Sequence, residues 1–441
     1  MRTLVLVDGE HYPPVTRWAI DVARERGHDV VSALLVGGSE KLGAGETPDL
    51  GIPVRLAGAD RMAALREAIA ADKPDVILDL SDEPILGYRE RMELVAVALV
   101  AGVPYMGPDF RFEPPDSGPP LRVPTLAVIG TGKRTGKTAI AGEVARVADG
   151  MGLQPVVVAM GRGGPAKPQV VEPGSVDLER LLELVRLGEH ASSDYLEDAL
   201  TTGVATVGAR RAGGGLAGAP FASTVREAAE LASQRPTGLV ILEGSGAAVP
   251  PVAWDAGVLV IPAAVPPEYV GGYLGPYRLL RSDLVVVTMA SGPSGPEHLS
   301  SLRSHVRRFL DDERYLVTDF VPKPLADVAG RRVFFTTTAP EPVAADQARH
   351  LARTYGCEVV GWSARLADRA GLTEDLQRAG GFEVLLTELK AAAVDIACGR
   401  AVSLGAEVVF VDNRAVVREG KDLSTAIREI IELARDRASR R

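Results

Sequence analysis

Short apolar runs bounded by turn residues alternate along this chain with stretches in which apolar positions recur at helical spacing. In the first part, TLVLV at 3–7 precedes a helical stretch at 14–26 and the strand DVVSALLV at 29–36. A second helical stretch at 61–71 leads to DVILDL at 75–80, and a third covers 89–101. This rhythm predicts a mainly parallel, doubly wound sheet. RFEPPDSGPPLRVP at 111–124 breaks every period and is the natural linker. Beyond it come predicted strands TLAVIG (125–130), VVVA (156–159), GLVILEG (238–244), GVLVI (257–261) and DLVVVTM (283–289), with GGG at 213–215 read as a flexible loop. The last part reads as strand RVFFTTT from 332, a helix at 342–355, strand CEVVGW, a helix around 389–404 that carries Lys390, strand EVVFVDN and a charged amphipathic helix at 424–437. No internal repeat of fixed period is evident.

The strongest chemical signal follows TLAVIG. GTGKRTGKTA at 130–139 stands between a strand and a helical pattern, which is the context of a phosphate-binding loop. Glycines let successive amides turn inward around phosphate oxygens, and the helix that follows adds its positive end. The expected nucleotide-contacting residues are Gly130, Thr131, Gly132, Thr135, Gly136, Lys137, Thr138 and Ala139. Lys137 supplies a mobile charge to the phosphates, and the Thr138 hydroxyl is an expected Mg²⁺ ligand. One position departs from the usual pattern, because Thr131 stands where a glycine is expected and Gly130 comes one residue early. The alternative is a glycine-rich turn with an incidental GKT. The expected fold is therefore α/β: a central P-loop domain with a parallel sheet over 121–325, a Rossmann-like α/β domain over 1–120 before it, and an α/β segment over 326–441 after it.

Composition narrows the partners. A net charge of −9 disfavours non-specific binding to nucleic acid or membranes. No apolar run is long enough to span a bilayer, and the opening MRTLVLVDGEH is too short for a signal sequence. Two cysteines, Cys357 and Cys398, form no metal-type spacing and read as buried thiols in a reducing compartment. The expectation is a cytoplasmic enzyme.

The loop GTGKRTGKT resembles that of dethiobiotin synthetase and its relatives, which also carry an acidic residue in a later EGAGG-like turn. VILEGSGAAVPPV at 240–252 fits that turn, with Glu243 at the C-terminal end of its strand. Ligands of open α/β sheets sit at such ends, so Glu243 is an expected second Mg²⁺ ligand or water-orienting carboxylate; the alternative is a solvated loop glutamate. More broadly, the chain resembles cyclic 2,3-diphosphoglycerate synthetase, on the strength of VDGEHYPPVT, VIGTGKRTGKTAI, MGRGGP and LEGSG. The resemblance implies ATP-dependent closure of a phosphoanhydride between the two phosphates of 2,3-diphosphoglycerate, with release of ADP and phosphate, by a homodimer.

That chemistry brings like charges together, so it asks for a densely basic site. Lys133 and Arg134 lie inside the loop, and Arg162 lies in GRGGPAKP after VVVA. These, with Lys137 and Glu243, are the expected catalytic set. Weaker substrate-binding candidates are His190, the pair Arg210 and Arg211, Lys390 and His11. For each, a solvated surface charge is the plain alternative. Asp8, Glu10 and His11 follow the first strand and SDE at 81–83 follows DVILDL; both clusters suit either a ligand entry or helix capping. Two other readings use the same loop: a kinase for another small phosphorylated or carboxylated metabolite, and a nucleotide-switch or metallochaperone protein. The stretch ASGPSG after DLVVVTM stands where a guanine-reading NKxD belongs, and no His- or Cys-rich metal motif is present.

Overall fold

The computed structural model describes residues 1–38, 47–292 and 294–441. Pro293, within ASGPSG, lies outside the described residues. The chain forms two compact units, and the division falls between Asp116 and Ser117, inside the Pro-rich stretch. Two later segments, Pro266–Arg281 and Ser304–Phe309, belong to the first unit.

The first unit holds strands β1 (Arg2–Val7), β2 (Asp29–Leu35), β3 (Val54–Leu56), β4 (Val76–Asp79), β5 (Tyr105–Met106) and β6 (Arg111–Phe112), with helices α1 (Pro13–Glu25), α2 (Arg61–Asp72) and α3 (Tyr88–Val100). Their order is β3-β2-β1-β4-β5-β6, parallel except for the β5–β6 pair. This is the expected doubly wound pattern, and its order reverses between β1 and β4. Leu4, Val5, Leu6, Ala33, Leu34, Val76 and Ile77 are fully buried, so the continuous apolar runs of the sequence are explained by a sheet covered on both faces.

The second unit is built on one large sheet. Its strands are β7 (Thr125–Gly130), β8 (Val156–Gly161), β9 (Gln169–Val171), β10 (Ala205–Ala212), β11 (Ala222–Ser223), β12 (Val240–Glu243), β13 (Ala256–Pro262), β14 (Leu284–Thr288), β15 (Tyr315–Pro324), β16 (Arg332–Thr336), β17 (Glu358–Ser363), β18 (Val384–Thr387) and β19 (Glu407–Glu419). They run in the order β11-β10-β8-β12-β7-β13-β14-β15-β19-β18-β16-β17, with β9 also on β10. Pairing is parallel except for β9 and β11 on β10 and for β15 against β19. The helices α4 (Lys137–Gly150), α5 (Leu178–Arg186), α6 (Asp194–Thr202) and α7 (Val225–Ser233) serve its P-loop half. Ile140, Val144 and Ala148 of α4 share a core with Leu126, Val128 and Ile241 beneath, and with Ile427, Ile430 and Ile431 of the C-terminal helix Leu423–Ser439.

Two elements differ from the sequence expectation. Strand β19 runs well past EVVFVDN, because its first residues pair with β18 and its later ones, Val411 to Glu419, pair with β15. The strand changes partner between Phe410 and Val411, just before the polar Asp412–Asn413 step that reads as a strand end. The helix expected at 389–404 begins only at Ala393, first as a π-helix to Cys398 and then as α-helix Gly399–Ser403. Lys390 therefore sits on the bend after β18 and not on a helix. The adjoining Ala391 is left-handed (φ 50°), which keeps the chain out of helical geometry at that point, and the helix starts only after it.

Candidate active site at the phosphate loop

β7 is a central strand, flanked by β12 on one side and β13 on the other. The chain leaves its C-terminal end, turns through 131–136 and enters α4 at Lys137. Gly136 stands at the helix entry with φ 87°, and a Cβ there would come within 2.5 Å of the Phe320 ring. Only glycine meets both demands. The displaced first glycine has a local explanation. A Cβ on Gly130 would meet Thr135 Oγ1 at 2.8 Å and Lys137 Cδ at 3.0 Å. The stem of Lys137 passes over Gly130, so glycine is needed at that position, whereas the neighbouring Thr131 keeps its side chain.

Lys137 folds back over the loop, donating to the Gly132 carbonyl at 2.8 Å and to Thr135 Oγ1 at 3.1 Å. Burial, opposed by Glu243 and Asp194, brings its ammonium down to about 8. Thr138 Oγ1 donates to Glu243 Oε1 at 2.7 Å, so the two expected metal ligands meet at the ends of adjacent elements. Ala139 is buried in the first turn of α4. Lys133 and Arg134 are exposed, Arg134 with left-handed backbone (φ 55°).

Basic groups converge from two other loops. Arg162 and Arg211 both reach the LEGSG turn, where a Cβ on Gly246 would lie 2.9 Å from one guanidinium and 3.3 Å from the other. Arg211 is buried; it donates to the Ser245 carbonyl at 2.8 Å and to the Gly213 carbonyl at 2.6 Å, and its Nε is buried with no acceptor among the described residues. Burial and then the neighbouring Arg162 lower its affinity for its proton. Both arginines repel the Lys137 ammonium, which places three cations in mutual range. The remaining candidates are engaged nearby or elsewhere. His190 packs against Gly163 beside Arg162, where a Cβ would lie 2.4 Å from its ring, and Arg210 Nε donates to the Gly164 carbonyl at 2.8 Å. Lys390 pairs with Glu197 at 3.2 Å. His11 belongs to the first unit, where its Nδ1 lies 2.9 Å from Asp8.

The acidic side of the site was the part missed in sequence. Asp194, Glu197 and Asp198 all lie on α6. Asp198 is fully buried and Glu243 nearly so, the two carboxyls lie against one another, and burial followed by this mutual repulsion raises Asp198 well above the ordinary range. Burial, with Asp194 adding to it, takes Glu243 up to about 7. Apart from the hydrogen bond between the two carboxyls, Glu243 Oε2 and both Asp198 oxygens have no donor among the described residues. The stretch SSDYLEDAL reads as an ordinary capped helix with a wet acidic face. Nothing in its spacing marks which acids turn inward.

Three domain models of cyclic 2,3-diphosphoglycerate synthetase match the chain: the N-terminal domain over residues 2–113, the P-loop domain over 125–318 and the C-terminal domain over 324–414. A cyclic 2,3-diphosphoglycerate synthetase of Rubrobacter xylanophilus is 47% identical over 426 residues, covering 96% of each chain. One of Thermococcus sibiricus is 40% identical over 430 residues, covering 97% of this chain and 98% of its own. Among solved structures, LpxK from Aquifex aeolicus in complex with ATP covers 78% of this chain and 96% of its own at 14% identity, with a TM-score of 0.43.

Proposed function

This chain belongs to the cyclic 2,3-diphosphoglycerate synthetase family, and we propose that it closes the phosphoanhydride ring of 2,3-diphosphoglycerate at the expense of ATP, releasing ADP and phosphate. The observation that carries this reading is the convergence of Lys137, Arg162 and Arg211 beside the phosphate loop. One lysine suffices to grip a nucleotide tail. Two further guanidiniums, one buried with an unused N–H, call for a second polyanion.

In the proposed course, an oxygen of one substrate phosphate attacks the γ-phosphorus of ATP, the bond to the β-phosphate oxygen breaks, and ADP leaves. An oxygen of the other substrate phosphate then attacks the newly diphosphorylated phosphorus, and the former γ-phosphate departs as inorganic phosphate while the ring closes. The protein's share is positioning and charge neutralisation, with no covalent nucleophile. Lys137 leaves Gly132 and Thr135 for the phosphates. Arg162 and Arg211 hold the substrate phosphates together against their repulsion, and Lys133 and Arg134 extend the positive rim. The donorless oxygen of Glu243 beside Thr138 suits a magnesium ion, which would be held by those two side chains and would neutralise phosphate charge when bound. Cytoplasmic location and a homodimer complete the reading; among the described residues no helix is long and apolar enough to cross a membrane.

Phosphorus NMR of the protein with 2,3-diphosphoglycerate and MgATP tests it. Cyclic anhydride signals are expected, with ADP and phosphate rising in equal amounts. A linear phosphorylated product would instead make the protein a kinase, and ATP hydrolysis alone would make it a switch.

A further inference from the structure

Strands β10 and β11 are joined by residues 213–221, GGGLAGAPF, which run beside the arginine pair. Arg211 ties this loop to the site, because its guanidinium donates both to the Gly213 carbonyl at 2.6 Å and to the Ser245 carbonyl at 2.8 Å. The loop also leans on the chain after LEGSG, where the Val249 amide donates to the Gly218 carbonyl at 2.9 Å. Its two large apolar side chains face solvent. Leu216 is 76% exposed, and Phe221, at 92%, is the most exposed large apolar side chain among the described residues. Single exposed apolar residues are ordinary. Two on one glycine-rich loop, next to cations gathered for an anion, ask for a reason.

The glycines of the loop are of two kinds. Gly213 and Gly218 are left-handed (φ 70° and 91°), and Cβ atoms there would come within 2.7 Å of Phe221 Cβ and 2.9 Å of the Ala247 carbonyl oxygen. The fold demands glycine at both. Gly214 and Gly215 have no positive φ, and a Cβ at either would meet nothing nearer than 3.5 Å. Neither shape nor space calls for glycine there, so what it supplies is freedom of the backbone. Lid loops commonly hinge on such small residues.

The proposed reaction gives a lid work to do. Once the γ-phosphoryl group has moved, the diphosphorylated phosphorus faces two nucleophiles. Attack by the other substrate phosphate closes the ring. Attack by water forms a P–O bond to the water oxygen, breaks the bridging P–O bond and releases phosphate; the water's two hydrogens end on the two phosphates. ATP is then consumed and 2,3-diphosphoglycerate is regenerated without a ring. Shutting water out favours closure.

We propose that residues 213–221 are a lid over the arginine site, and that Leu216 and Phe221 are the side chains that set the partition between ring closure and hydrolysis. Arg211 is the link: in turning to a substrate phosphate it releases the Gly213 carbonyl, and Gly214 and Gly215 let the tip close. This rests on the reaction proposed above and extends it to two residues that touch no charge.

The test uses the full-length protein with MgATP and 2,3-diphosphoglycerate in isotopically labelled water, read by phosphorus NMR. Wild type should form ADP and ring in equal amounts with little label in phosphate; a wild type that makes no ring sinks the reaction itself and this inference with it. In Leu216→Ser/Phe221→Ser, label entering phosphate or diphosphoglycerate per ring formed should rise about tenfold or more, the population shift expected when a closed lid no longer buries a phenyl group. An unchanged ratio overturns the proposal whatever happens to the rate; if that variant also sediments as a smaller assembly, the two side chains belong to a contact between copies. A rise that appears equally without 2,3-diphosphoglycerate overturns it too, by placing the loop over the nucleotide. Phe221→Trp gives a reading independent of turnover. Its emission, relative to wild type, should shift to the blue when 2,3-diphosphoglycerate and adenylyl imidodiphosphate are added together, and an indole that stays in water refutes closure.

Discussion

The carboxyl ends of β1 and β4 in the first unit and of β7 and β12 in the second present the same kind of crevice, and the two have opposite chemistry. In the first unit Asp8 follows β1 and Asp79 ends β4, both buried. Asp8 accepts from the amides of Glu10, His11 and Asp82 and from the His11 ring; burial opposes its ionisation, and these bonds outweigh it and hold its carboxyl below the ordinary range. Asp79 accepts from Arg91 Nε at 2.9 Å and the Tyr105 hydroxyl at 2.8 Å. A cleft of about 340 Å³ lies there, lined by Asp8, His11, Thr16, Trp18, Ser81 and Asp82. In the second unit, among the described residues, Glu243 Oε2 and the two Asp198 oxygens meet no partner except each other's carboxyl, Arg211 Nε lacks an acceptor and Lys137 binds only its own loop. Satisfied charges hold a turn in shape, whereas unsatisfied charges are stored for a ligand. The topology makes both crevices, and only the polar accounting separates them.

The sharpest way to break that comparison is to remove the central cation of the second site. Lys137→Ala should lower turnover by at least about 10²–10³-fold with circular dichroism unchanged, measured by phosphorus NMR of the product. Wild-type-like turnover would reduce the loop to a structural turn. Next in size is the arginine pair. Arg211→Ala and Arg162→Ala should each raise the KM for 2,3-diphosphoglycerate by roughly 10–100-fold, the worth of a charge-assisted hydrogen bond or two. The KM for ATP should move much less. Equal effects on both would place these residues on the nucleotide instead.

What was legible in the sequence follows from how local each demand is. The loop could be read because the conformational and charge requirements of Gly130, Gly136, Lys137 and Thr138 fall within one strand–turn–helix segment. Glu243 was legible because a strand end with glycines after it is a positional signal. Arg211 ranked low because its importance depends on Ser245 and Arg162, which reach it from other loops. Asp198 was silent, since an acid on an amphipathic helix is ordinarily wet. In the last part of the chain, Lys390 was placed on a helix by its alanine-rich neighbourhood, and the left-handed Ala391 overrides that propensity.

A third experiment sharpens the contrast through pH. Burial, with Asp194 adding to it, raises the folded Glu243 carboxyl to about 7, so the metal-free folded protein holds a proton there that the unfolded chain has released. Its contribution is present in full at acid pH and disappears as pH rises through about 7. Relative to Glu243→Gln, the metal-free wild type should therefore lose several degrees of melting temperature between pH of about 5.5 and about 8.5. Asp8, held below its usual range, has the reverse sign: its contribution is present at neutral pH and is lost only as pH falls through its depressed folded value. If Glu243→Gln and wild type tracked each other, Glu243 would be as well satisfied as Asp8, and the distinction between the crevices would vanish.

The smallest expected effect on turnover is the most discriminating for the first unit. His11 stands at the end of β1 where a ligand contact was anticipated, yet its ring nitrogen is already 2.9 Å from one Asp8 oxygen and 3.0 Å from the other. His11→Ala removes one of several bonds to that carboxylate and leaves the three amides in place, so the cost in stability should be about 1 kcal/mol. Turnover and both KM values should remain within about twofold of wild type, a difference below 0.5 kcal/mol. A rise of tenfold or more in the KM for 2,3-diphosphoglycerate in this variant, with melting nearly unchanged, would mean that the Asp8–His11 pair handles substrate. The first crevice would then be functional in spite of its satisfied charges, and polar accounting alone would not be a sufficient guide to which strand end does the chemistry.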